Sequence, residues 1–397
     1  MQKSMTSRER MLATLNQQEA DHIPCCFMSF SALRKKHHED RYKVALAELE
    51  MGIDSMLFIP TAPRPTRPEH PDLRGLPVRI SPAVRTVERL ATAPDGTTTL
   101  HKEYQTPAGS LTSVVETSDD WPHGNHIPLI DDYQVPRSTK LLITQPADLA
   151  ALDYLLLPPN AEDIAAFRLE ANEAAAFCQQ QQILLAGGWG VGWDMCTWLM
   201  GMEPLMTDAL ENPDFVQTFL QRIHQWNLQR MQVVLESKVD IYFRRAWYEG
   251  CDFITPDFHR QCMLPILKAE ADLAHQYGAK FAYICSSGTK PLLDSYIDAG
   301  IDTLVAIDPI QGTHTDMPFM RKKLAGKVCL WGGVSGAITV EMGSADEVRS
   351  AVREAIATLG PDSFILSPVD NLTVDAPQTW DNVRVFIDEW QKNRETA

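Results

Sequence analysis

A (β/α)8 barrel with a β-hairpin and loop insertion after its second strand is the fold class this sequence predicts, on three observations. Short β-branched or apolar runs recur at 23–30, 54–60, 182–187, 239–244, 280–285, 302–307, 327–331 and 363–367. Between most of them lie amphipathic stretches of helical period, the alternation that builds a parallel sheet from βα units. Residues 62–150 break this rhythm with Pro, Thr and Asp and with short strand-like runs at 98–104 and 110–116. Eight parallel strands close most simply into a barrel, and the whole chain, 1–397, reads as one such domain.

The element boundaries have their own signals. A helix is expected at about 38–50 between the first two strands. Asn212-Pro213 opens another, on which Phe215, Phe219 and Ile223 form a core-facing stripe. Thr255-Pro256 supplies an N-cap and a first-turn proline for a helix that ends near Gly278. Ser344-Ala-Asp-Glu347 is a capping box, followed by Val348, Val352, Ile356 and Leu359 at helical spacing and closed by Gly360. The insertion falls where a barrel's βα loops surround the substrate, so it is expected to act as a wall or lid, or as a structural extension.

Composition narrows the function classes. The 36 Lys and Arg against 52 Asp and Glu give a net charge of -16, opposite to the basic surface that nucleic-acid binding requires. The chain starts without the apolar stretch of a secretory signal, and no apolar run reaches the roughly 18 residues of a membrane span. The expectation is a soluble cytoplasmic protein without membrane or nucleic-acid partners, its oligomeric state left open. Eight cysteines at 25, 26, 178, 196, 251, 262, 285 and 329 form no CxxC pair, so reduced thiols are expected. Cys251 and Cys285 alone fall near strand ends where chemistry is expected.

In a barrel the reacting groups sit just past the C-terminal ends of the strands. That rule selects Ser29 and Arg34 past the first strand and Thr61 and Arg64 past the second. Past the third come Gly188-Trp-Gly-Val-Gly192, with Trp189 and Trp193, and then Trp198. The fifth ends in Cys285-Ser-Ser-Gly288, with Ser287; the sixth in Asp308; the seventh in Ser335; the eighth in Asp370. Arg34, Arg64, Trp189, Trp193, Trp198, Ser287, Asp308 and Ser335 are therefore candidate substrate contacts. The fourth strand is the most informative, because Arg244, Arg245, Trp247, Tyr248 and Glu249 are costly to bury unless they pair or meet a ligand. Alternation admits one arginine to the interior. With Arg245 inside, it would clamp a carboxylate while Tyr248 and Glu249 hydrogen-bond or transfer protons. The alternative is a rim brace pairing Arg245 with Glu249 or Asp308. The glycines of 188–192 lack the GxGxxG spacing of a dinucleotide loop and fit a tight turn or a flat ligand better. No P-loop, HExxH helix or GxSxG elbow is present.

The opening Ser7-Arg-Glu-Arg10 with Asp21-His-Ile-Pro24, together with Trp331-Gly-Gly-Val334, Gly343-Ser-Ala-Asp-Glu-Val348, Phe364-Ile-Leu-Ser-Pro368 and Asn382-Val383, resembles the uroporphyrinogen decarboxylase superfamily over nearly the whole chain. The resemblance implies the (β/α)8 fold and two chemistries, porphyrinogen decarboxylation and methyl transfer. At the places where the decarboxylases hold their substrate, this chain has Cys25-Cys-Phe-Met-Ser-Phe30, Pro60, Trp198 and Asp370. The thiol-alkylating branch implies a zinc site whose positions here read Tyr283, Cys285 and Asp370, so zinc at Cys285, completed by Cys251, Glu249 or Asp370, is a further expectation. The leading expectation is a methyltransferase or demethylase-like enzyme with Arg245, Tyr248, Glu249 and Asp370 as its catalytic set. It would move a methyl group from a small substrate to a corrinoid, folate or thiol acceptor, with a corrinoid protein as partner. A decarboxylase and a non-catalytic binding protein are the alternatives.

Overall fold

The computed structural model describes residues 4–59, 76–311 and 315–395. Seven strands form one parallel sheet: β1 (Met56–Ile59), β6 (Leu184–Gly190), β7 (Ile241–Arg245), β8 (Lys280–Ile284), β9 (Thr303–Ile307), β10 (Cys329–Ser335) and β11 (Phe364–Val369), hydrogen-bonded in that order. Between β1 and β6 run β2 (Arg85–Thr92), β3 (Thr98–Thr106), β4 (Gly109–Glu116) and β5 (Ser138–Lys140), a separate antiparallel sheet in chain order. Seven of the eight expected strands form. The expected first strand does not: residues 24–26 lie instead as isolated parallel bridges, Cys25 to Leu366 of β11 and Cys26 to Asp54 just before β1.

The chain divides into two compact units, the first comprising Met1–Ile59, Ala171–Gly188 and Leu235–Ala397, the second Pro60–Glu170 and Trp189–Val234. In the second unit, β3 and β4 alternate buried with partly exposed residues and share a core of Leu100, Val115, Trp121 and Ile127. The sequence predicts a β-hairpin and loops here; the structure has the four-stranded antiparallel sheet β2 to β5. Phe215, Phe219 and Ile223 are buried as their spacing predicts, on the helix Pro213–Glu236.

Within the first unit the sheet is enclosed on one side and covered by helices on the other. Phe243 of β7 meets Phe58 of β1 at 5.0 Å and Trp331 of β10 at 5.8 Å between ring centroids. These three strands are not all neighbours, so their side chains converge on a common interior. The helix Ala345–Leu359 carries the expected Ser344 capping box and buries Val348, Val352, Ala355 and Leu359. Thr255 caps its helix as expected, and a π-helical turn at His259–Met263 carries the chain into the helix Leu264–Gln276.

The N-terminal ends of the strands are closed by the helix Ser7–Leu15. Arg8 pairs with Asp240, which leads into β7, at 2.6 Å; Arg10 pairs with Asp54, which leads into β1, at 2.6 Å, and with Asp21 at 2.6 Å. The Ser7-Arg-Glu-Arg10 motif is thus structural. Gly188 lies inside β6 rather than in a loop, at φ +124°, where a Cβ would sit 2.5 Å from the Phe243 carbonyl oxygen. It serves close passage of two strands rather than a turn or ligand.

Glu48, on the helix Arg41–Glu50, is buried, and its carboxylate accepts from Ser55 Oγ at 2.6 Å. Burial pushes its pKa from 4.5 up to about 8, the Ser55 hydrogen bond opposing the shift. The folded state therefore holds an extra proton between those values, so this group's contribution to stability is full below the unfolded value and is lost as pH rises toward the folded one. Glu48→Gln removes the titration. Thermal denaturation at about pH 5 and about pH 8.5 should show the variant's stability, relative to wild type, rising with pH by on the order of a few kcal/mol; an unchanged difference contradicts this reading.

Candidate active site at the strand ends

The loops that follow β7 and β8 are locked together backbone to backbone. Cys251 N–H donates to the Gly288 carbonyl at 3.0 Å, a Cβ on Gly250 would lie 2.0 Å from the Ser287 carbonyl oxygen, and one on Gly288 would lie 2.3 Å from the Cys251 nitrogen. Only glycine permits this approach. On the other side, Asn371 past β11 accepts from Ser31 N–H at 2.9 Å and donates to Ser31 Oγ at 2.8 Å, and Ser29 bridges Asn371. These two clamps bracket the C-terminal ends of the strands in the first unit.

The two arginines of β7 separate as alternation requires. Arg244 faces the helix layer: its guanidinium donates to Glu270 at 2.8 Å and Glu249 at 2.8 Å, and it also reaches the Arg245 carbonyl. Tyr283 O–H donates to the other oxygen of Glu249 at 2.8 Å. All four side chains are fully buried. Burial and the neighbouring Glu249 charge push the Tyr283 phenol well above its ordinary pKa, so it remains a donor. Arg245 is two residues beyond Phe243 and shares its interior face, 6% exposed.

Several expectations change accordingly. Glu249 is held by Arg244 and Tyr283, so the buried brace of this strand includes Arg244. Asp308 makes no ion pair with Arg245 among the described residues. Tyr248 is half-buried, its ring edge-on to Phe253 at 5.4 Å. Asp370 is exposed and held at φ +66°, a left-handed conformation unusual for a non-glycine residue. Arg34 is half-buried on the short helix Ser31–Lys36 and pairs with Glu39 at 3.2 Å. Thr61 and Arg64 lie outside the described residues. Trp189 is the sixth residue of β6 and half-buried; Trp193 is fully buried on the helix Trp193–Met200; Trp198 on the same helix donates its indole N–H to Asp132. The last three belong to the second unit.

The residues proposed for zinc do not fit it. Cys285 is fully buried, its Sγ donates to the Ser287 carbonyl at 3.5 Å, and its thiol lies against Tyr296 of the helix Leu293–Ala299. Asp370 is exposed and Glu249 is committed to Arg244. Burial, with Asp252 nearby, raises the Cys251 thiol to about 11, away from a ready thiolate. Among the described residues no group of three His, Cys, Asp or Glu side chains gathers as a metal site would require.

Two groups stand out at the strand ends. Asp308, 1% exposed, accepts from Ile310 N–H at 2.8 Å and Gln311 N–H at 3.0 Å through Oδ1, while its Oδ2 is buried without a hydrogen-bond partner. Ser335, the last residue of neighbouring β10, is fully buried and its Oγ likewise lacks a partner. The sequence placed both at the mouth but could not show that they are unsatisfied. It missed Glu270 and His259. Glu270 announces itself as a charge in the otherwise apolar stripe of Ile266, Leu267, Ala271 and Ala274. His259 is buried with both ring nitrogens unpartnered, 5.8 Å from the Tyr296 ring, and burial lowers its pKa to about 4.

The parallel α/β sheet, with buried polar groups at the C-terminal ends of its strands, is consistent with a TIM-like fold. The chain belongs to the uroporphyrinogen decarboxylase (URO-D) family, whose family model matches residues 129–392. No curated protein matches it by sequence. Among solved structures it is similar to a methyltransferase from Methanosarcina mazei, at 15% identity and a TM-score of 0.60, covering 98% of this chain and 99% of that one. A B12-independent methionine synthase from Shewanella sp. W3-18-1, in complex with selenomethionine, aligns at 11% identity and a TM-score of 0.47, covering 94% and 97%. At 15% identity the likeness to the methyltransferase is one of fold.

Removing Glu249 should be a stability defect first. Glu249→Ala leaves Tyr283 without its acceptor and Arg244 with one carboxylate, a loss of about 3–5 kcal/mol by analogy with other buried pairs. Glu249→Gln, which still accepts from Tyr283, should lose less. Urea denaturation of both variants checks the order; wild-type stability in Glu249→Ala contradicts it.

Proposed function

We propose that the protein is a methyl-transferring member of its family, acting in the cytoplasm and moving a methyl group from a small substrate to a corrinoid, folate or thiol acceptor. A corrinoid-carrying protein is a natural partner for the first of these. In this reading the seven strands and the bridges of residues 24–26 make up a closed (β/α)8 barrel in one domain, with the antiparallel sheet as its insertion.

One observation carries the choice of chemistry. A porphyrinogen presents several carboxylates and needs several cations, yet of the two arginines on β7 one is neutralised between Glu249 and Glu270. Arg245 is the other buried arginine of that strand, and Asp308, Ser287 and Ser335 are buried at or just past the ends of the strands that follow. Such a set suits a small substrate with at most one anionic group. The methyltransferase whose fold the chain shares supports the same choice.

The residues then divide the work. Arg245 fixes an anionic group of the substrate, which sets the methyl carbon in line with the incoming nucleophile; such positioning is a large part of a displacement's rate. Tyr248 and Asp370, at the rim, border the approach of the acceptor. The methyl carbon exchanges its bond to the donor heteroatom for one to the acceptor, and the donor atom keeps the bonding pair.

The test is turnover by the purified chain on methylated amines, thioethers and methoxy compounds, with cob(I)alamin, tetrahydrofolate or a thiol as acceptor. Methyl transfer is expected with at least one pair, and Arg245→Ala should lower kcat/KM by about a hundredfold. Uroporphyrinogen under anaerobic conditions should yield no carbon dioxide. Carbon dioxide release without any methyl transfer refutes the proposal.

A further inference from the structure

Resting on the methyl-transfer reading of this site, we infer that the methyl donor is a protonated N-methyl amine whose N–H groups are bound by Asp308 Oδ2 and Ser335 Oγ. Neither orphaned atom is incidental to its strand end. Asp308 cannot swing away, because Oδ1 is held by the Ile310 and Gln311 N–H groups, and this fixes where Oδ2 lies. A buried carboxylate oxygen left without a partner costs free energy that the fold would avoid by pairing it. Across the sheet the same chain pairs Arg244 with two carboxylates and Arg10 with two more. Asp308 makes no ion pair among the described residues.

The chemistry selects the ligand. A neutral ether oxygen offers no proton to Oδ2, and an anionic group is repelled by it. A quaternary ammonium supplies charge without a hydrogen bond. A secondary or tertiary ammonium supplies both, and the Ser335 hydroxyl, on the neighbouring strand, accepts a second N–H where one is present. The net charge of -16 favours the approach of cations over anions.

Such a donor also balances the reaction. In R–NH2⁺–CH3 the nucleophile, a Co(I) corrinoid or a thiolate, supplies the electron pair of the new bond to carbon. The C–N bond breaks, its pair stays on nitrogen, and the neutral amine R–NH2 leaves with both protons. No oxidant is needed. Asp308 accepts hydrogen bonds throughout and is a binding residue rather than an acid.

Calorimetric titration without any acceptor separates recognition from reaction. The probes are N-methylglycine, methoxyacetate and N,N,N-trimethylglycine, which share a carboxylate and differ in the cation and its N–H. N-methylglycine should bind saturably at millimolar concentration, and the other two about tenfold more weakly or worse. Asp308→Asn keeps the Oδ1 acceptor for Ile310 and Gln311, so it should fold with wild-type thermal stability and lose that preference. Ser335→Ala should weaken N-methylglycine a few-fold. Absent binding of N-methylglycine, equal binding of methoxyacetate, or an unchanged preference in Asp308→Asn overturns the inference. Methyl transfer from an O-methyl or S-methyl donor without N-methylglycine binding would leave the broader proposal standing and sink this one; N-methylglycine binding without any transfer would do the reverse.

Discussion

The gap between β11 and β1 is the constraint on which the first unit depends. Residues 24–26 fill it without forming a strand: Leu366 N–H donates to the Pro24 carbonyl at 2.9 Å, Cys26 N–H to the Leu366 carbonyl at 3.1 Å, and Asp54 N–H to the Cys25 carbonyl at 2.7 Å. So short a ladder is weak on its own, and side chains reinforce it. Trp331 and Trp390 donate their indole N–H groups to the carbonyls of Cys26 and Ile23, and the Asp54 carboxylate receives Cys25 N–H while paired with Arg10. The Arg10–Asp54 pair therefore ties the N-terminal helix, the bridging segment and the approach to β1 into a single charged joint. Both members are buried, so breaking one leaves the other uncompensated.

Charge is distributed along the sheet in a way that separates stability from chemistry. At the N-terminal ends, Arg8, Arg10, Asp21, Asp54 and Asp240 satisfy one another, and Asp240 also receives Leu185 N–H. Behind β7 and β8, Arg244, Glu249, Glu270 and Tyr283 do the same. At the C-terminal ends the bookkeeping is left open, with an oxygen of Asp308 and the Ser335 hydroxyl unpartnered. Among these three groups of side chains, the strand-end pair is the one whose acceptors are left open.

Strand positions were legible because periodicity and burial coincide in a parallel sheet: the predicted 280–285 and 302–307 differ from β8 and β9 by a single residue at one end. The first strand misled because Cys25-Cys-Phe-Met is apolar enough to read as a strand, yet it is anchored by two distant tryptophans rather than by a full ladder. Trp189 was placed past its strand because glycines read as loop, whereas Gly188 lets β6 continue against Phe243. At the site, alternation separates Arg244, which pairs behind the sheet, from Arg245. It could not reveal that Glu249 answers Arg244, since that pairing depends on Glu270 and Tyr283, residues 21 and 34 positions further along.

These particulars explain why family membership leaves the reaction open. The family match spans 129–392 and so contains β6 to β11, with their interlocked loops, but not residues 4–59. The latter supply Arg34 and the bridging segment, where the decarboxylases would be expected to hold their substrate. What the match covers is a scaffold able to present polar groups at strand ends. Onto that scaffold this chain sets an arginine held in a buried network with Glu249 and Glu270, and a carboxylate held through Oδ1 with its Oδ2 unpartnered. In the proposed reading, a single neutralised guanidinium does more to narrow the substrate than the shared fold does, because it would change the number of anionic groups the site can hold while leaving every strand in place.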